Sequence, residues 1–225
     1  MVEKKSQVQI KMVLTIIVEL RSLQHPLFDC DFAGILVIGG WPSVYSVEFW
    51  SNTNADQSSC QLSDYPRQMS QEPTVNFVAN KLVACWDKSC DIYQEGAWNH
   101  LQDTIVGRRF HSSVSLEDKL LLIGGTYSRS TEFIPVDGTS ASPGPFTVRH
   151  GYDHCTMKLS EDVIVVTGGG GGAVDDKTES LVTKYQLSDG RETALTPLTQ
   201  GRYAHACGVY QDLDGQQVSG EVQTR

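Results

Sequence analysis

Four of the six histidines, His111, His150, His154 and His205, lie downstream of residue 110. Imidazole is both a metal ligand and a general base near neutral pH, so a metal or substrate site is the chemistry these residues offer. The competing reading is structural, because His111, His154 and His205 recur at one position of a repeat, as a duplicated packing role requires. Other constellations are poorer. Gly168-x-Gly170-x-x-Ala173 matches a dinucleotide fingerprint in form, but that motif needs a helix opening on its last residue. Here Val174-Asp175-Asp176 follows, with carboxylates where phosphate would sit, and Thr183 to Leu187 alternates like a strand. No Gly-x-x-x-x-Gly-Lys-Ser/Thr, Gly-x-Ser-x-Gly or His-Glu-x-x-His motif occurs, so the phosphate-loop, serine-hydrolase and zincin readings have no support. The six cysteines contain no Cys-x-x-Cys pair, which removes the zinc ribbon. Cys85 and Cys90 flank the four residues Trp86-Asp87-Lys88-Ser89. Across a hairpin they would face each other as a disulfide, or else stay as two buried thiols.

The elements that position these residues repeat. Ile35-Leu36-Val37-Ile38-Gly39-Gly40, Leu120-Leu121-Leu122-Ile123-Gly124-Gly125 and Val163-Ile164-Val165-Val166-Thr167-Gly168-Gly169 are apolar strands ending in paired glycines. Lys81-Leu82-Val83-Ala84-Cys85 is a degraded copy, and positions 39, 84, 124 and 168 are 45, 40 and 44 residues apart. A period in the forties indicates one supersecondary unit per repeat. Each pair precedes a strand with an aromatic anchor: Phe49, Tyr93, Phe133 and Tyr185. The last of these is delayed by an insertion, Gly170 to Lys177. Asp137-Gly138 and Asp189-Gly190 mark hairpin turns after the anchors. His111 and His154 stand 13 and 14 residues before Gly124 and Gly168. Each repeat therefore reads histidine strand, glycine-pair strand, anchor strand, outer strand. Short strands bounded by turns make the chain all-β, and four strands per repeat make a propeller blade.

The net charge of −9 and the absence of a basic run argue against nucleic-acid binding. No apolar run reaches the roughly 18 residues of a membrane helix. Met12 to Val18, after Lys11, is either a signal-peptide core or a short strand or unstructured extension. The localisation expected is weakly secreted, with a cytoplasmic alternative.

The glycine pairs, the aromatic anchors, Trp98 beyond Tyr93, and the Arg-x-x-His of Arg108/His111 and Arg202/His205 together resemble kelch repeats over about residues 34–217. The resemblance implies a kelch-like β-propeller of about four four-stranded blades plus an incomplete one, unclosed. The organisation expected is an N-terminal extension over 1–30, blades over 31–217 and a tail over 218–225. An unclosed propeller leaves strand edges exposed, which predicts self-association or completion by another chain.

Loops entering the histidine strands and loops following the glycine pairs emerge at one end. That end collects Arg108, Arg109, Arg149 and Arg202 from one set, and Trp41, Trp86, Tyr127 and Arg129 from the other. Arginine and aromatic residues are enriched at binding hot spots, although the arginines could instead bridge neighbouring blades. The function expected is a non-enzymatic protein-interaction module with an unknown protein partner, no cofactor and no metal. The alternative is a propeller-based enzyme, a galactose-oxidase-like or other oxidase or lyase, which the resemblance makes dependent on additional tyrosine and histidine ligands.

Overall fold

The computed structural model describes residues 34–38, 47–51, 63, 65, 73–171, 178–211 and 217–221. Among them there are antiparallel β-sheets and no helix. The chain divides into two compact units, residues 1–70 and 71–225. In the first, β1 (Gly34–Ile38) pairs antiparallel with β2 (Val47–Ser51), from Gly34 opposite Ser51 to Ile38 opposite Val47. These are the glycine-pair and anchor strands of the first repeat. Gly39, Gly40 and Trp41 lie outside the described residues.

The second unit opens with β3 (Thr74–Val78), β4 (Lys81–Gln94) and β5 (Ala97–Arg108), in that order across one sheet. Four strands were expected here, and β4 accounts for the difference. Its first part pairs with β3 and its second with β5. Five extended residues span about 17 Å, yet the Cα atoms of Cys85 and Cys90 are 4.1 Å apart and their sulfurs are bonded. The strand doubles back at Asp87, where φ is +50°. Without glycines after Ala84, the apolar run passes into the anchor strand with no open loop.

The next two sheets are four-stranded meanders. One runs β6 (Ser112–Ser115), β7 (Lys119–Ile123), β8 (Ser130–Pro135) and β9 (Ser142–Thr147). The other runs β10 (Cys155–Ser160), β11 (Val163–Thr167), β12 (Val182–Gln186) and β13 (Glu192–Ala194). The turns at Gly138 and Gly190 use positive φ, +88° and +68°, as Asp-Gly hairpins require. Finally β14 (Cys207–Gln211) pairs with β15 (Gln217–Glu221).

The first strands of successive sheets are neighbours: β3 beside β6, β6 beside β10, β10 beside β14. The β6–β9 sheet is thus covered on both faces, which is why its second strand is continuously apolar rather than alternating. Leu120 and Leu122 pack toward Val83, Cys85, Cys90 and Ile92 of the preceding sheet. Leu121 and Ile123 pack the other way, with Ile164, Val166 and Tyr185 of the following one. The anchor Tyr185 is fully buried and stacks on Phe146 at 4.4 Å, and Tyr93 meets Trp98 edge-on at 5.3 Å.

Candidate functional site

Connections between sheets and the loops that follow the glycine pairs lie at one end of the second unit, stitched by backbone bonds. Thr126 N–H donates to Arg109 C=O at 2.8 Å, and Gly170 N–H to Tyr152 C=O at 2.8 Å. The residues just before the histidines, Phe110, Asp153 and Ala204, adopt left-handed conformations with φ of +55°, +54° and +50°. This geometry is uncommon outside glycine. It sets up a ladder between sheets: Asp153 N–H donates to Phe110 C=O at 2.9 Å, and Ala204 N–H to Asp153 C=O at 2.8 Å.

Each histidine side chain closes the same seam. His111 Nε2 is 3.0 Å from Thr74 Oγ1, His154 Nε2 is 2.8 Å from Ser112 Oγ, and His205 Nε2 is 2.9 Å from Thr167 Oγ1. Every partner hydroxyl belongs to the preceding sheet. His154 Nδ1 donates to Gly151 C=O at 2.9 Å, so its Nε2 accepts from Ser112. Burial, with repulsion from Arg108 and His154, pushes His111 down to about 3. Burial and the neighbouring His150 push His154 down to about 4. Both rings are neutral at physiological pH.

The glycine pairs and the histidines are one device. Gly124 has φ +61°, and a Cβ there would stand 2.7 Å from His154 Cε1; at Gly168 the corresponding values are +62° and 2.6 Å from His205 Cε1. The first glycine of a pair thus makes room for the next sheet's histidine, while the second, Gly125 or Gly169, packs on its own sheet's histidine.

Arg108 is corrected by the structure. It is 1% exposed, not part of a surface. Its Nη1 donates to Gly124 C=O at 2.9 Å and Ser130 C=O at 2.6 Å, and its Nη2 lies 3.2 Å from Glu132 Oε2. Glu132 is also buried and accepts from Ile105 N–H at 2.6 Å. His150 holds the equivalent place one sheet on: Nδ1 donates to Gly168 C=O at 2.7 Å, and Nε2 is 3.1 Å from Thr183 Oγ1. Both side chains cap the carbonyl that the first glycine turns inward.

The other arginines reach the surface of this end. Arg149 is exposed and paired with Glu192. Arg109 is partly exposed and 3.8 Å from Asp87. Arg129 and Tyr127 are exposed, and Arg202 is partly so. Trp86 is only half-buried, its indole Nε1 enclosed without a hydrogen-bond partner. Sequence reasoning missed Glu179, which follows the glycine insertion. Its N–H donates to Gly169 C=O at 2.8 Å, its C=O accepts from Arg202 N–H at 3.0 Å, and burial raises its carboxyl above the usual range. It also missed the disulfide Cys155–Cys207, which joins β10 to β14. Partners 52 residues apart in sequence carry no local signal.

No family model matches the chain, and no curated protein does. Among solved structures it is similar to a fungal alcohol oxidase of the AA5 family in complex with copper. The likeness has a TM-score of 0.58 and 13% sequence identity, and covers 83% of this chain and 44% of that one. The expectation of a non-enzyme is corrected here, because the fold is one that an alcohol oxidase carries. His150 and His154 do not suit copper, since the two ring nitrogens of each face a hydroxyl and a carbonyl, and no group of three or more His, Cys, Asp or Glu among the described residues could hold a metal ion. No described helix is long and apolar enough to cross a membrane.

Proposed function

We propose that the meander sheets are blades of a kelch-like β-propeller, and that the chain supplies the propeller of a galactose-oxidase-like alcohol-oxidising enzyme. The single observation behind this reading is the likeness to the AA5 alcohol oxidase over 83% of the chain. The four-strand repeat, with its first strands side by side, supports the propeller part. This chain spans 44% of that oxidase's length, and in our reading the described residues act as frame. His111, His154 and His205 hold blade to blade, His150 caps the Gly168 carbonyl, and the copper of this reading is held by other residues of the protein. The described disulfides fit an oxidising, extracellular setting.

The test combines elemental analysis of the purified protein with oxygen uptake on a panel of primary alcohols after copper loading. Bound copper with alcohol-dependent uptake supports the reading. A folded protein that holds no copper and consumes no oxygen overturns it. Replacing His154 by Gln separates frame from ligand: copper content stays unchanged while thermal stability falls.

A further inference from the structure

Among the described residues the two ends of the second unit differ in charge. Hairpin turns opposite the glycine-pair end carry Glu117, Asp118, Asp137, Glu161, Asp162 and Asp189, with Lys81, Lys119, Lys158 and Arg191 among them. The glycine-pair end carries Arg109, Arg129, Arg149 and Arg202, in a chain whose net charge is −9. Backbone bonds place these arginines on one rim with two of the most exposed large side chains. Arg109 C=O holds the turn that bears Tyr127, which is 69% exposed. Arg129 C=O accepts from Val148 N–H at 2.8 Å, next to Arg149. Arg202 C=O accepts from Gly169 N–H at 2.8 Å, next to Tyr203, which is 49% exposed. Acidic groups at this end are Asp87 on Arg109, Glu192 on Arg149, Asp153 and Glu179. Glu179 feels Arg129, and its enclosed Oε2 has no hydrogen-bond partner.

We propose that this rim binds an acidic polysaccharide, its carboxylate or sulfate groups held by Arg129 and Arg202 and its sugar rings laid on Tyr127 and Tyr203. A guanidinium fork matches a planar carboxylate and stays charged at every physiological pH. Two exposed phenol rings beside it offer flat apolar faces to the C–H face of a sugar, which a charge-only contact does not need. The acidic far end repels the same polymer and so orients it to the rim. The inference stands apart from the oxidase reading, because binding needs no turnover.

Titration calorimetry of the full chain against polygalacturonate, dextran sulfate, a neutral galactan and polyglutamate tests it. The expected result is binding of a charged polysaccharide and none of the galactan, with preference between the first two identifying the anion. The double variant R129A/R202A loses tenfold or more in affinity, and Y127A/Y203A threefold or more. R191A, in the turn at the far end, loses nothing. The variants alter exposed or partly exposed side chains, and an unchanged melting temperature confirms their fold. Absence of binding to both charged polysaccharides overturns the proposal. So does equal binding of polyglutamate with no loss in Y127A/Y203A, which would assign the rim to an acidic polypeptide, and so does an equal loss in R191A.

Discussion

At Gly124 two constraints meet that either alone would make glycine preferable. The φ of +61° costs an L residue about 1–2 kcal/mol, and an added methyl would press into the His154 ring at 2.7 Å. Because that ring is itself pinned by Ser112 and Gly151, it has little room to retreat. Gly124→Ala is therefore expected to destabilise the fold by about 3 kcal/mol, the conformational cost plus overpacking. Gly96→Ala is the control. Its φ is +79° but nothing lies within 4 Å of the added atom, so the loss stays near 1 kcal/mol. Urea denaturation of the two variants measures the difference. The glycine pairs were legible in the sequence as a repeat. Their dependence on the next sheet's histidine was not, because no local pattern says which ring will arrive from the neighbouring sheet.

Among elements, β5 and β8 are joined by the pair of buried charges Arg108 and Glu132. Breaking a buried pair on one side strands the other charge, at a cost of about 3–5 kcal/mol. Arg108→Met is thus expected to lose that much, while Arg108→Met with Glu132→Leu recovers much of it; thermal melts of the single and double variants decide. Sequence reading placed Arg108 on a binding face because arginine is enriched at binding hot spots, with bridging of neighbouring blades as the alternative. A buried carboxylate on the next sheet was the missing fact. The disulfide Cys155–Cys207 closes a long loop between β10 and β14. By chain entropy it contributes about 4 kcal/mol. Replacing both cysteines with Ala is expected to lower stability by that order, and limited proteolysis should then cut first between residues 195 and 206, the connection the bond restrains. The bend at Asp87 was legible through the spacing of Cys85 and Cys90, because a four-residue gap between strand segments brings their ends together.

At the scale of the second unit, the seams are predicted to be acid-sensitive. His111 and His154 are held neutral by burial, down to about 3 and about 4, whereas an unfolded histidine titrates near 6.5. Below about pH 6.5 the unfolded chain takes up protons that the folded chain excludes. Stability is complete above that pH and falls as the pH drops toward 4 and then 3, by up to about 1.4 kcal/mol per pH unit for each ring. The groups around these rings, Arg108, His150 and His205, are themselves cationic or become so in acid. No described carboxylate faces them to soften the fall. The apparent unfolding free energy, measured by denaturant titration between pH 4 and 7.5, should decline steeply in the wild type. The decline should be shallower in His154→Gln, which keeps a hydrogen-bonding side chain but removes the titration.

Strand content, the order of strands within a repeat and the hairpin turns were determined by the sequence itself. They follow from local preferences: apolar runs, Asp-Gly turns and paired glycines act within a few residues of where they are read. Which polar groups go inside was decided by tertiary structure alone. Arg108 and Arg129 look alike in the chain, yet one is sealed against Glu132 and the other is exposed. The left-handed backbone at Phe110, Asp153 and Ala204 also has no sequence signal, since none of these residues is glycine. At Asp153 and Ala204 it is held because each N–H finds the matching carbonyl of the preceding connection, Phe110 C=O and Asp153 C=O. Burial and pairing across seams depend on which sheet becomes whose neighbour, and that is settled only when the sheets pack together.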